Sequence, residues 1–256
     1  MKAVLFDLDG TLTDPKEGIT RSIAHALERM GHEVPPLDAL TFAIGPPLRA
    51  SLASLMQRDD RDVVERAIAH YRERFADVGL FENAVYAGIP EALAALRGRR
   101  LFVATSKPQV YAERIVRHFG LDRHFEAIHG CELDGTREDK RDLLDHLFAT
   151  HGIHPGDAVM IGDRGADMRA ARHHDCHALG VRWGYGERGR AARGGRATPL
   201  RCTRGSSGRH RTHRGPRTGL TLPYRTCWNA WERSATPCAP WRLASARSAR
   251  ARPPIA

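Results

Sequence analysis

Lysine is scarce in this chain. Four lysines, at positions 2, 16, 107 and 140, stand against 36 arginines in 256 residues. Cysteine is sparse too. The five present (Cys131, Cys176, Cys202, Cys227 and Cys238) form no CxxC pair and share no regular spacing, which argues against a disulfide framework or a zinc site. No apolar run approaches the length needed to span a bilayer. No basic segment followed by a long apolar stretch opens the sequence, so no secretory signal is expected. These absences point to a soluble, cytoplasmic protein without a membrane partner. The length suffices for a substantial core, and one domain plus an insertion is the natural expectation.

The formal charge of +10 suggests nucleic acid at first sight, but it is unevenly placed. From Glu187 to Ala256 sixteen arginines face only Glu187 and Glu232, a net +14; residues 1–186, with 24 basic and 28 acidic side chains, carry −4. Trp228, Trp231 and Trp241 lie among those arginines, and aromatics amid basic residues stack bases. Binding of nucleic acid through the tail is therefore an alternative function. No RNA- or DNA-binding fold signature accompanies it, so a nucleic-acid partner is not expected.

Three short apolar runs each end in polar residues: Ala3–Phe6 before Asp7, Leu101–Ala104 before Thr105-Ser106-Lys107, and Ala158–Ile161 before Gly162-Asp163. Helical patterns follow them. Short buried strands alternating with helices imply a parallel sheet covered on both faces, a Rossmann-like α/β fold. Ligands bind beyond the carboxyl ends of such strands, where all three polar clusters fall. The first crossover is too long for one helix. Ile19 to Met30, Leu48 to Leu55 and Val63 to Phe75 read as three helices, broken by Pro35-Pro36 and Gly45-Pro46-Pro47. The expected division is a core of residues 1–13 and 84–186, an inserted helical cap of 14–83, and a basic tail of 187–256.

The stretch FDLDGTLTD, Phe6 to Asp14, crowds three aspartates into eight positions. Clustered negative charge is unfavourable unless a cation or proton resolves it. Asp7 and Asp9, two apart at a strand end, are expected to point the same way and to suit a hard cation such as Mg²⁺. Gly10 permits a tight turn after them. Asp163 adds a carboxylate at another strand end, with Asp167 four residues on. Lys140 stands near the start of an expected helix, Glu138–Thr150, where the dipole disfavours a cation. His173-His174-Asp175-Cys176-His177 looks like a metal cluster on paper, yet adjacent histidines on a helix diverge by roughly 100°.

DLDGT (Asp7–Thr11), the Thr105-Ser106 strand end, Lys140 and GDRGAD (Gly162–Asp167) occur in the order of the haloacid dehalogenase superfamily. Over residues 1–186 the chain resembles its phosphoglycolate-phosphatase-like branch with a small helical cap. IGPPL (Ile44–Leu48), GLFENAVYAGI (Gly79–Ile89) and ATSKP (Ala104–Pro108) extend the resemblance, and Gly180–Gly186 matches the last strand and loop. The resemblance implies a Mg²⁺-dependent phosphatase acting on a small phosphorylated metabolite, phosphoglycolate or a nucleoside 5′-monophosphate. Asp7 is then nucleophile and metal ligand, and Asp9 the acid and base, grouped with Asp163 and Asp167 around the metal. Thr105 and Lys140 hold the transferring phosphoryl group, while Thr11, Ser106, Lys107 and Arg49 are candidate substrate contacts. Splitting a carbon–halogen bond needs no acid at position 9, whereas releasing an alcohol from phosphate does. A phosphomutase of the same superfamily is the rival enzyme. Ala166 stands where relatives often carry a polar residue. Oligomeric state is not legible.

After Gly186 the resemblance stops. The tail has no lysine, aspartate or phenylalanine, and Ile255 is its one isoleucine. No helical or alternating period persists, so disorder is expected. Arg, Gly, Pro, Ala and Ser dominate, as when a GC-rich gene is read out of frame. One of the other two reading frames from codon 187 is therefore expected to encode a short helix–strand ending and a stop. Absence of that ending from both frames overturns the frameshift.

Overall fold

The computed structural model describes residues 2–186. The basic tail from Glu187, with the disorder and frameshift expected of it, lies outside the described residues. The chain runs through β1 (Ala3–Phe6), β2 (Thr13–Asp14), α1 (Lys16–Arg29), α2 (Leu48–Met56), α3 (Arg61–Arg74), β3 (Ala84–Val85), α4 (Ile89–Ala95), β4 (Arg100–Pro108), α5 (Gln109–His118), β5 (Ala127–Cys131), α6 (Lys140–His151), β6 (Ala158–Gly162), α7 (Gly165–His173) and β7 (His177–Gly180). No helix among the described residues is long and apolar enough to cross a membrane.

Five strands form one parallel sheet in the order β5-β4-β1-β6-β7. Phe6 lies level with Val103 and Ile161, so the three apolar runs of the sequence sit side by side at the centre. Strand alternation divides the core. Val4, Phe6, Val103 and Ile161 pack with Ile115 and Val116 of α5 and Ile89 and Leu93 of α4. Leu5, Phe102 and Met160 pack with Leu143, Leu144 and Leu147 of α6 and Ala170 and Ala171 of α7. Burial on both faces explains why these strands read as unbroken apolar runs. Each such fully buried side chain contributes about 2 kcal/mol.

Two strands were less plainly written. β5 is Ala-Ile-His-Gly-Cys, with histidine and glycine interrupting any run. The last strand is His177–Gly180, ahead of most of the Gly180–Gly186 stretch, and it takes in the end of the histidine-rich segment. There His174 bonds the Arg141 carbonyl at 3.0 Å.

β2 and β3 pair antiparallel, Thr13 with Val85 and Asp14 with Ala84. Between them lie α1, α2 and α3, a 3₁₀ segment over Leu37–Ala43 and a π-helical turn over Phe75–Gly79. Asp60 starts α3 by accepting from the Val63 amide at 3.0 Å, which meets one of the donors a helix start leaves open. Gln57, in the left-handed region, ends α2. Glu82 ties the exit of the insertion to its body, taking two bonds from Arg74 at 2.7 and 2.8 Å and one from Arg21 at 3.0 Å. A β-carbon on Gly18 would overlap the Gly79 carbonyl, so α1 and the π turn meet backbone to backbone.

His129 of β5 is buried, with Nε2 2.8 Å from Nε2 of His151 and its ring 5.7 Å from that of His146. His151 also faces Glu126 at 3.6 Å. Burial, then the charges of His151, His146 and Arg137, push the His129 imidazole down to about 4. In the unfolded chain it titrates near 6.5. Its neutral form therefore supports the fold above pH 6.5, and that support is lost as pH falls towards 4. With allowance for solvent screening the effect is about 1–2 kcal/mol. Melting temperature against pH is expected to fall less steeply over this window for His129→Gln than for the wild type. Parallel curves overturn the assignment.

Candidate active site

β1 ends at Phe6, and Asp7 is the next residue, its amide bonded to the Ile161 carbonyl at 2.8 Å. Asp163 follows β6, and Asp167 lies in the first turn of α7. Carboxylate oxygens of Asp7, Asp163 and Asp167 all lie within 4.8 Å of one another, and all three residues are buried. Lys140 is the first residue of α6, whose start is capped by Asp139 accepting from the Arg141 amide at 2.8 Å. Its ammonium is 2.9 Å from Asp7 and also bonds Asp167. The second Asp167 oxygen accepts from the Arg164 amide at 2.9 Å. Asp163 Oδ2 accepts from the amides of Tyr185 at 2.7 Å and Gly186 at 3.1 Å. Gly10 has φ of 80°, and a β-carbon there would sit 2.5 Å from Asp163 Oδ2, so this turn requires glycine.

Asp9 does not join this cluster through its side chain. The strand alternation expected to align it with Asp7 stops at Phe6. Leu8 then gathers the amides of Thr11, Leu12 and Thr13 on its carbonyl, turning the chain. The Asp9 carboxylate points to Lys107, 2.9 Å away, instead. β4 loses its regular register between Ala104 and Pro108, and Lys107 lies in that irregular stretch. The Lys107 ammonium lies 4.6 Å from the centre of the Phe75 ring, so a core lysine touches the cap. Thr105 is buried, its hydroxyl accepting from the Lys107 amide at 3.2 Å. Thr11 is buried with an unpartnered hydroxyl, while its carbonyl accepts from Trp183 Nε1 at 3.1 Å.

A cavity of about 190 Å³ beside Asp9 is lined by residues of the helical insertion between β2 and β3, of the ends of β4 and β5 and of the segments that follow them. Ser106, Lys107 and Arg49 line it; Thr11 and Thr105 do not. Arg49 is exposed and already ion-paired with Glu65. Sequence reasoning passed over the aromatic wall of the cavity: Tyr71, Phe75 and Tyr111. Tyr71 stacks on Phe75 at 5.0 Å, and Tyr111 meets Phe75 edge-on at 5.5 Å. Helical spacing reads such residues as plain core, and only the packing of the insertion against α5 brings them to the cavity wall.

Burial dominates the electrostatics. It raises the Asp9 carboxyl against the pull of Lys107, with Asp7 adding to the rise. Asp163 is raised by burial and then by Asp7. Asp167 is likewise raised by burial, which Lys140 opposes. Burial alone would lower Lys140, but Asp167 and Asp7 together hold it well above the usual lysine range. Asp163 Oδ1 is buried and lacks any hydrogen-bond partner. An orphaned carboxylate oxygen facing two further carboxylates fits a hard divalent cation with oxygen ligands.

A model of the haloacid dehalogenase-like hydrolase family matches residues 4–181. The chain belongs to that family. A protein of Pseudomonas aeruginosa named 5′-nucleotidase is 51% identical over 185 residues, covering 72% of this chain and 83% of its own. A Mycobacterium tuberculosis protein named tyrosine-protein kinase PtkA is 43% identical over 185 residues, covering 72% of this chain and 62% of its own. A crystal structure described as a predicted phosphatase from Clostridium acetobutylicum superposes with a TM-score of 0.70 at 41% identity, covering 73% of this chain and 87% of its own.

Lys140 is the sole ammonium between Asp7 and Asp167 among the described residues. Lys140→Met leaves two buried carboxylates facing each other, and in metal-free buffer stability is expected to fall by about 3 kcal/mol in urea denaturation. A loss below ~0.5 kcal/mol, typical of a surface change, overturns the role.

Proposed function

We propose that this protein is a Mg²⁺-dependent cytoplasmic phosphatase that hydrolyses a small phosphomonoester through an aspartyl-phosphate on Asp7. The observation that carries the reading is the division of labour between two aspartates only two residues apart. Asp7 sits with Lys140 in the three-carboxylate cluster, and Asp9 stands apart beside the cavity. Asp7, Asp163 and Asp167 supply the carboxylates that would hold Mg²⁺, with Asp9 beside them rather than in the side-chain cluster. When bound, Mg²⁺ offsets the charge that otherwise keeps a carboxylate from a phosphate dianion.

An Asp7 oxygen attacks phosphorus, and the ester P–O bond breaks. The leaving alkoxide takes a proton from Asp9, whose burial keeps it protonated to higher pH than an exposed aspartate. Asp9 then removes a proton from water, and the water oxygen attacks the phosphorus of the aspartyl-phosphate. Inorganic phosphate leaves and Asp7 is regenerated. Lys140 holds Asp7 in place and adds positive charge beside the transferring group, with Thr105 as a hydroxyl donor to it. The cap excludes water while this proceeds.

The aromatic and apolar cavity wall suits a large leaving group with a flat ring. That feature, with the relative named 5′-nucleotidase, favours a nucleoside 5′-monophosphate over phosphoglycolate. Wild type is expected to release inorganic phosphate from a nucleoside 5′-monophosphate only with Mg²⁺. Asp7→Asn should reduce the rate by roughly 10³-fold or more, as for loss of a nucleophile. Transfer of phosphate to a second substrate molecule without release would mark a phosphomutase instead. Mg²⁺ should also raise the melting temperature of wild type but not of Asp163→Asn. Normal turnover by Asp7→Asn overturns the mechanism.

A further inference from the structure

Arg164 follows Asp163 and stands at the N-terminal boundary of α7. Its Nε and Nη2 are both buried and have no hydrogen-bond partner. These two nitrogens form one edge of the guanidinium, and that edge matches two oxygens of a carboxylate or phosphate side-on. Leaving such an edge dry and unpaired is costly, because a buried charged donor without an acceptor forfeits its hydration.

The cap supplies the other half of the observation. Gly45, with φ of 98°, opens the Gly45-Pro46-Pro47 segment that lines the cavity with Asp9. A β-carbon on Gly45 would overlap Arg164 Nε and crowd Cδ and Cζ. The guanidinium thus packs against Gly45, where a side chain would collide with it, next to a cavity that Arg164 itself does not line. The nearby carboxylates take other donors, Asp163 Oδ2 two amides, Asp167 Lys140 and an amide, and Asp9 Lys107, while the unpartnered oxygens Asp9 Oδ1 and Asp163 Oδ1 make no hydrogen bond to Arg164.

We propose that Arg164 is a substrate-binding residue, its Nε–Nη2 edge, covered by Gly45 in this structure, taking two oxygens of an oxyanion on the substrate when the Gly45-Pro46-Pro47 segment moves off it. This deepens the phosphatase reading and rests on it. The oxyanion is the phosphoryl group itself or a second acidic group on the substrate, and three substrates separate these sources. A nucleoside 5′-monophosphate and p-nitrophenyl phosphate carry only the phosphoryl group; 2-phosphoglycolate also carries a carboxylate.

The test compares wild type, Arg164→Ala and Arg164→Lys on all three, with binding of inorganic phosphate measured by calorimetry. The expected result is a rise in KM of roughly ten- to hundred-fold for Arg164→Ala. Arg164→Lys should restore little, and added guanidinium should partly rescue the alanine variant. A rise on every substrate, with weaker phosphate binding, assigns the phosphoryl group; a rise confined to 2-phosphoglycolate assigns the carboxylate. Because Arg164 is unpaired, the alanine variant should melt no lower than wild type without substrate, whereas a structural arginine would lower the melting point. Unchanged KM and phosphate affinity overturn the inference, as does a lower melting point with unchanged KM. If wild type turns over none of the three, the phosphatase reading fails separately, and phosphate affinity alone decides on Arg164. Wild type that neither reacts with nor binds any of them overturns both.

Discussion

Four carboxylates are forced together out of water at the ends of two neighbouring strands. Asp7, Asp9, Asp163 and Asp167 are all buried, and only two ammonium groups, Lys107 and Lys140, are buried among them. With all six groups ionised the cluster carries −2, the charge that one divalent cation offsets. Burying an unpaired carboxylate costs several kcal/mol, so much of the local architecture serves to offset charge. The Tyr185 and Gly186 amides turn back onto Asp163, and the first turn of α7 presents an amide to Asp167. Gly10 and Gly184 lack side chains where a β-carbon would strike the Asp163 carboxylate.

The cap extends the same constraint from above. Lys107 pairs with Asp9 on one side and lies over the Phe75 ring of the cap on the other. Both attractions on a cation between a carboxylate and an aromatic face strengthen as the local dielectric falls, which offsets part of the cost of taking the cation out of water. The surroundings of the Phe75 ring and of the Asp9 carboxylate are therefore linked through one side chain. Whatever lifts Phe75 also uncovers Lys107 beside Asp9. The π turn carrying Phe75 is held to α1 by the backbone contact of Gly18 with Gly79 and by Glu82. Tyr71 and Phe75 of the aromatic wall are thus fixed to the body of the insertion, while Tyr111 belongs to α5.

The central sheet was legible because β1, β4 and β6 are buried on both faces and so appear as apolar runs with polar ends. β5 and β7 were not, since edge strands need no such run. His129 and Gly130 interrupt β5, and a β-carbon on Gly130 would strike the Lys107 carbonyl. Asp7, Asp163, Asp167 and Lys140 were legible from type and spacing, and the fold brings them together. The direction of the Asp9 side chain was not, because it depends on where β1 stops, and Leu8 continues the apolar pattern past that point. Arg164 was invisible for another reason. Among 36 arginines, nothing in the sequence marks out Arg164, whose guanidinium edge is buried.

That contrast bears on why a chain so rich in arginine keeps lysine at positions 107 and 140. The Lys140 ammonium is a compact charge reaching two carboxylates from the first residue of a helix. A planar guanidinium spreads the same charge over a fork too broad to lie between two oxygens already close enough to share one nitrogen. Lys107 must fit between Asp9 and a ring face, where a small ammonium again suits the gap. At the seam the demand reverses. Gly45, without a side chain, lets the Arg164 guanidinium pack against its backbone, with Nε and Nη2 buried and unpartnered. The division follows from shape: lysine where one nitrogen must satisfy crowded acids, arginine where a planar group packs against backbone.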